Sequence, residues 1–303
     1  MKPFTAIGVD VGGTKIAAGA VAFPQGIVQA RRIIPTVPQR GGEAVLVDVE
    51  RIVSELAAEV AEIGHRVDGI GMGVCEIVDQ SGEIVSANSV AWTAVDVRRR
   101  LEAIAPVAIE ADVRAAARAE ALFGAGRNSR VFLYVTIGTG ISCCLVTDRE
   151  PFTGARGATG TMASGPLPGF NGEGPTEPLP TLEQIASGPA LVTRFRAARG
   201  VADSAQEVLK AAANGNAPAI AVVRSAAEAL GATVGMLVGV LDPERVVLGG
   251  GLGLAEGLFR DALVSSARRN IWWDGHRDLP IVPAETGADA GLIGAAAAVW
   301  RQD

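Results

Sequence analysis

An α/β fold is predicted for this chain of 303 residues. Short apolar runs alternate with stretches of helical period, two of those runs turn on glycines and resume as a second strand, and the closing stretch is again helical. Thr5 to Val9 is a compact apolar strand, Asp10 to Thr14 a glycine-rich turn, and Lys15 to Ala22 the returning strand. Ile27 to Ile34 makes a third. From Ala44 to Ile63, the apolar positions Val45, Val49, Ile52, Val53, Leu56 and Val60 follow the period of a helix with one buried face. Gly69 to Val74 and Val107 to Ile109 are strands, and a helix is expected from about Asp112 to Phe123. Val131 to Ile137, Gly138 to Gly140 and Ile141 to Val146 repeat the opening order of strand, glycine turn and strand, a weak internal duplication. From Leu182 onward the pattern is mostly helical, above all from Ala217 to Leu241. Arg245 to Leu248 is a strand that runs into Gly249, Gly250 and Gly251. Leu279 to Val282 is the last strand, and a Gly/Ala-rich helix follows from about Ala288 to Trp300. The stretch GPLPGFNGEGPTEPLP, Gly165 to Pro180, has no period and reads as a loop.

Hydrophobic residues make up 49% and charged residues 20%, a globular balance. The formal net charge of -6 and the lack of a dense Lys/Arg run argue against nucleic acid or an anionic membrane as partner. Cys75, Cys143 and Cys144 form no C-x-x-C pair and fit a reducing compartment. With His65 and His276 the only histidines, a structural zinc site is not expected. No signal-like segment and no uninterrupted apolar span is evident, so a soluble cytoplasmic protein is expected.

Glycine lets backbone N–H groups approach a phosphate with no Cβ in the way. VDVGGTK places Asp10, Gly12, Gly13, Thr14 and Lys15 together. Thr14 is suited to donate to a phosphate oxygen, and Asp10 to hold Mg²⁺ through water. Lys15 either adds positive charge or lies on the second strand. A single such turn is read most simply as a tight hairpin. Three of them, at 10–14, 138–140 (Gly138, Thr139, Gly140) and 249–251, each after an apolar strand, point to a phosphate site. None has the G-x-x-x-x-G-K-[ST] spacing, and the first unit lacks G-x-G-x-x-G.

The order of these motifs resembles the ROK family (repressors, open reading frames and sugar kinases) over nearly the whole chain. IGVDVGGTKIAAGAV resembles its first phosphate motif, and GIGMGVCEIVDQSGEIVSANSVAW a segment that usually reads G-x-G-x-P-G-x-V-D and ends near a Trp. EADVRAAARAE resembles E-N-D-A-N-A-A-A-x-x-E, which carries the catalytic aspartate. VTIGTGIS resembles the second phosphate motif, and LDPERVVLGGGL and GADAGLIGAAA the adenosine-side motif and closing helix. The resemblance implies a two-lobed actin-like ATPase (RNase H-like, sugar kinase) fold with nucleotide in the interlobe cleft. It implies a small lobe of 1–111 plus 288–303, a large lobe of 112–287, ATP and Mg²⁺ as cofactors, and a homodimer in which the Ala/Leu-rich helix from Ala217 to Leu241 is a candidate contact. Asp112 matches the base that takes a proton from the acceptor hydroxyl as it attacks the γ-phosphate. Asp is also a favoured helix N-cap, and that reading is compatible with the first.

The sugar half departs from the family pattern. Asn normally precedes the catalytic Asp, and here stands Ala111; the next Asn is Arg114. The P-G pair is Cys75-Glu76. The family's G-E-I-G-H appears as Gly160 to Ser164, with Thr161 for the sugar-binding Glu and Ser164 for the His that binds sugar and orders the zinc site; the cysteine-rich zinc loop is replaced by a cysteine-free one. Glu183, within TLEQIASGPAL, keeps the place of a family sugar ligand. The candidate substrate residues are therefore Glu76, Asn88, Ala111, Asp112 and Glu183. Glu76 either pairs with a substrate ammonium or with Arg114, or is a solvated surface residue. Arg114 is either an exposed helix residue or a contact to substrate phosphate. Because the losses concentrate where ring hydroxyls are read, the expected acceptor is an amino or deoxy sugar or a cyclitol rather than plain glucose. A non-catalytic sugar-binding or regulatory relative and a zinc-free glucokinase are the alternatives. A DNA-binding repressor is disfavoured, since the first strand begins near Thr5 and the net charge is negative.

Overall fold

The computed structural model describes residues 4–92, 95–166 and 179–300. In chain order it contains β1 (Phe4–Val11), β2 (Lys15–Phe23), β3 (Ile27–Pro35), α1 (Gly42–Glu62), β4 (Gly69–Val74), α2 (Val97–Glu102), β5 (Val107–Ala111) and α3 (Asp112–Leu122). There follow β6 (Val131–Ile137), β7 (Ile141–Thr147), β8 (Glu150–Pro151), α4 (Leu182–Ala186), α5 (Gly188–Ala197), α6 (Ala205–Ala213) and α7 (Ala217–Leu241). The chain ends with β9 (Arg245–Gly249), α8 (Gly250–Gly253), α9 (Leu258–Asn270), β10 (Ile281–Pro283) and α10 (Ala290–Val299). The last strand is shorter and later than the expected Leu279 to Val282, because Leu279 is held in a turn by its N–H donating to His276. Helix α2 is too short for its period to be read; its start is fixed by Asp96, whose carboxylate accepts from Arg99 N.

The chain forms two compact units. The first runs to Asn128 and adds Val146–Thr159 and the chain from Glu285 onward; the second comprises Ser129–Leu145 and Gly160–Ala284. Helix α3 belongs to the first unit, so the boundary expected at 111/112 falls inside it.

The first unit is built on a sheet of order β3-β2-β1-β4-β5. β1 pairs antiparallel with β2 and parallel with β4, which pairs parallel with β5. The two faces of this sheet are covered in different ways. Ile7, Val9 and Val11 alternate along β1 and meet Ile70, Met72 and Val74 of β4 and the apolar stripe of α1 in one core. The glycines between them face α10. A Cβ on Gly8 would run into the carbonyl of Leu292, and one on Gly71 into that of Ala295. Gly294, on the other side of α10, faces the Ala115 carbonyl of α3. The Gly/Ala composition of the closing helix is thus the condition for a three-layer contact at backbone distance. Gly294→Ala is expected to push α3 and α10 apart and cost about 2 kcal/mol. Urea denaturation checks this, and an unchanged midpoint would refute the close-packing account.

The second unit contains β10, β9, β6 and most of β7, side by side in that order. β6, β9 and β10 are parallel. Leu133, Val135 and Ile137 of β6 share a core with the buried side of α7 and with Phe259 and Leu263 of α9. α7 is long and apolar enough to cross a membrane by length and composition. Here its small residues serve packing within the unit: a Cβ on Gly235 would lie 2.6 Å from the Ala267 carbonyl oxygen of α9.

Candidate active site

Three parallel strands of the first unit deliver the candidate chemistry. Val11, Val74 and Ala111 lie side by side in register at the carboxyl ends of β1, β4 and β5. Asp10, Cys75-Glu76 and Asp112 are therefore brought to one end of one sheet, the end at which open α/β sheets collect ligands.

Asp112 is the first helical residue of α3, and the N-cap position belongs to Ala111, in extended conformation with no side-chain cap. The cap reading of Asp112 is thereby corrected. Its Oδ1 accepts from the N–H of Val113 at 2.6 Å. Burial first, and then the charge of Asp10, push the Asp112 carboxyl up to about 7, against the Val113 bond. Burial likewise pushes Asp10 up to about 6, opposed by Lys15. Two carboxyls that resist ionisation beside one another are suited to share a proton or a cation. Among the described residues no group of three His, Cys, Asp or Glu forms a metal cage. A buried carboxylate such as Asp10 is an oxygen donor of the kind hard cations prefer.

The turn after Asp10 is a hairpin, β1 closing onto β2 with Gly12 N donating to Lys15 O at 3.0 Å. Thr36 braces it from β3's end, donating its hydroxyl to Gly12 O at 2.7 Å. Thr14 and Lys15 are exposed. Neither Gly12 nor Gly13 has the left-handed backbone that demands glycine, and a Cβ on Gly13 would come no closer than 3.9 Å to any neighbour, the hydroxyl of Ser89. Gly138 is likewise outside the left-handed region with nothing within 4 Å. The fold gives no reason for glycine at these two positions; an external group that approaches the backbone does. Gly250 differs, since its φ of 75° and the crowding Ile137 backbone both require glycine.

In the second unit, Thr136 of β6 and Gly249 of β9 are parallel partners, so the turns 138–140 and 249–251 sit at adjacent strand ends. Glu183, in the first turn of α4, accepts from the N–H of Ile141 at 3.0 Å, and its carboxylate lies against Gly140. Thr139 is the middle residue of the turn that Gly138 and Gly140 close by a backbone bond of 2.9 Å.

Two residues are placed differently from expectation. Arg114 is 2% exposed, so it is not a surface residue of the helix. Its guanidinium pairs with Glu110 and donates to Gly157 O at 2.8 Å and Val78 O at 2.7 Å, so each of its three nitrogens is engaged within the fold rather than with a substrate phosphate. Glu76 is 5% exposed, neither solvated nor paired with Arg114. Its oxygens accept from the Ser86 hydroxyl and from the N–H groups of Asn88, Ser89 and Val90. Asn88 itself is exposed, and Ala111 is buried at the end of β5. The neighbourhood contains two further residues that are not among the candidate site residues, Cys75 and Ser89. Cys75 has its thiol pushed up to about 12 by burial and then by Asp112, against the opposing effect of the Ser89 hydroxyl. Of the loop Gly165 to Pro180, residues 167–178 lie outside the described residues.

The family model for the ROK family matches residues 6–302. The chain is 30% identical over 320 residues to a glucokinase of Streptomyces coelicolor, covering 96% of each chain. It is also 30% identical, over 262 residues, to an N-acetylmannosamine kinase of Vibrio vulnificus, covering 83% of this chain and 84% of that one. Among solved structures, a ROK family glucokinase from Streptomyces griseus in complex with glucose and AMPPNP is similar with a TM-score of 0.81 and 27% identity, over 96% of this chain and 98% of that one.

Proposed function

The chain belongs to the ROK family and has its two-lobed actin-like α/β fold, and on that premise we propose that it is an ATP-dependent kinase of a sugar or sugar-like polyol. The observation that carries the reading is Asp112, a carboxyl at the end of β5 whose affinity for protons is raised into the neutral range beside Asp10. A group of that affinity can both take a proton at pH 7 and release it after turnover. Asp112 accepts the proton of a primary hydroxyl as that oxygen forms its bond to the γ-phosphorus; the bond to the β,γ-bridging oxygen breaks, and ADP leaves with the electron pair. Asp10 would hold the cation. Mg²⁺, when bound, neutralises charge on the phosphate oxygens. In the first unit the N–H groups of Gly13 and Thr14 would be donors for phosphate, with Lys15 adding positive charge; in the second unit the turns 138–140 and 249–251 offer donors of the same kind.

The acceptor in this reading is an amino or deoxy sugar or a cyclitol rather than plain glucose. What supports it is the set of substitutions at Ala111, Thr161 and Ser164, each of which removes a polar group that the family uses on ring hydroxyls. ADP release with Mg²⁺ and ATP, followed across hexoses, amino sugars and cyclitols, tests both levels. Glucose as the best acceptor would overturn the narrower one, and no turnover with any acceptor the broader.

The glycines offer a separate check. Gly13→Ala and Gly138→Ala are expected to change stability by less than about 0.5 kcal/mol, since neither new Cβ meets an obstacle. Both are expected to raise the KM for ATP at least about tenfold, which corresponds to one lost charge-assisted hydrogen bond. Unfolding curves and ATP titrations measure the two quantities. A loss of stability with unchanged KM would mean that the glycines serve the fold.

A further inference from the structure

We propose that Glu76 is a positioning residue, which clamps the loop 86–90 so that Asn88 and Ser89 form the acceptor-binding edge of the site beside Asp112. The inference rests on the kinase reading and deepens it. A carboxylate has about four lone-pair positions, and all those of Glu76 are used by this loop. Oε1 accepts from Ser89 N at 2.6 Å and Val90 N at 3.0 Å; Oε2 accepts from Asn88 N at 2.8 Å and from the Ser86 hydroxyl. Ser86 Oγ in turn accepts from Ile77 N at 2.9 Å, which ties the far end of the loop back to the residue after Glu76. With its oxygens filled and 5% of its surface exposed, Glu76 is not free to meet a substrate ammonium. Its effect on a substrate passes through the loop.

The clamped loop reaches two parts of the site. The Ser89 hydroxyl acts on the thiol of Cys75, favouring its ionised form against burial and the charge of Asp112. The same hydroxyl is the nearest group to the position a Cβ of Gly13 would take, 3.9 Å away. Ser89 thus lies between the residue next to the base and the first glycine turn. Asn88, whose N–H is directed at Glu76, keeps its side chain exposed, and a carboxamide offers both donor and acceptor to a sugar hydroxyl. Three consecutive inward N–H groups would be unpaired without Glu76, so the conformation that presents Asn88 depends on this one side chain.

The test uses the full chain with Glu76→Ala and Glu76→Gln. Amide hydrogen exchange is read at Asn88, Ser89 and Val90, and steady-state kinetics are run with the best acceptor and with ATP. Glu76→Ala is expected to abolish protection at those three amides while β1 and β4 stay protected. It is expected to raise the acceptor KM at least about tenfold and leave the ATP KM within about twofold. Glu76→Gln, which keeps one acceptor oxygen, is expected to fall between. Amides that stay protected in Glu76→Ala overturn the clamp. Amides that lose protection with unchanged acceptor KM overturn the loop's part in binding. Acceptor and ATP KM that rise together, with protection lost across the sheet, reduce Glu76 to a stability residue. A wild-type protein inactive on every acceptor defeats the kinase reading itself, and is told apart because amide exchange reads the clamp without turnover while both KM outcomes presuppose it.

Discussion

Asp112→Asn is expected to lower kcat at least about a hundredfold and, in the same protein, to raise the melting temperature at pH 8. The first effect follows from the loss of the group that takes the acceptor's proton. The second follows from the raised proton affinity of the carboxyl. In the unfolded chain Asp112 ionises at its ordinary 3.8, and in the folded protein at about 7. The folded state therefore binds the proton more tightly. The stabilisation is full below the unfolded value and is lost as pH rises through the folded one. Above about pH 7 the ionised carboxylate costs on the order of 4 kcal/mol relative to an uncharged side chain in its place. Asn removes that cost and also the repulsion with Asp10. Melting curves of wild type and variant should diverge between pH 4 and 7 and run parallel above. In the free wild-type enzyme, kcat/KM should fall as pH drops through about 7, because a protonated Asp112 accepts nothing. A variant that is inactive but no more stable at pH 8 would mean that the carboxyl is not desolvated, and with it the explanation of its proton affinity would fail.

Glu120→Ala is expected to destabilise the first unit by about 3 kcal/mol or more. Glu120 is fully buried near the end of α3. It accepts from Ala125 N at 2.7 Å, from Glu285 N at 3.1 Å, from Thr286 N at 2.8 Å and from the Thr286 hydroxyl. Removing the carboxylate leaves backbone donors unsatisfied at the point where the chain re-enters the unit, each worth about 1–3 kcal/mol. Glu120→Gln should lose about half as much, since the amide keeps one oxygen. Urea unfolding measures both, and a loss below about 1 kcal/mol for Glu120→Ala would show that water reaches these donors.

The sequence was most legible where structure is local. The strand–glycine–strand units and the stripe of α1 follow from side-chain period, and β6 is found at its expected residues, Val131 to Ile137. Asp112 was reached through a motif. What it could not convey were partners far along the chain. Arg114 sits in an Ala/Arg-rich helix of the kind that reads as exposed, and its burial is settled by carbonyls 36 and 43 residues away. Glu76 was misread for a related reason. Three of its four partners are backbone N–H groups, which every residue but proline carries and which leave no mark in a sequence. The division after α3 escaped notice because α10, from the far end of the chain, supplies the surface against which α3 rests.

The placement of α10 has a consequence for synthesis. The first sheet leaves the ribosome early, but the helix that covers its glycine face follows only after every strand of the second sheet has been made. A nascent chain that has passed Ala284 carries all of the second unit and an uncovered face on the first. Completion of the first unit therefore waits on residues made after those of the second, and Gly8 and Gly71 lack the backbone they pack against until α10 docks.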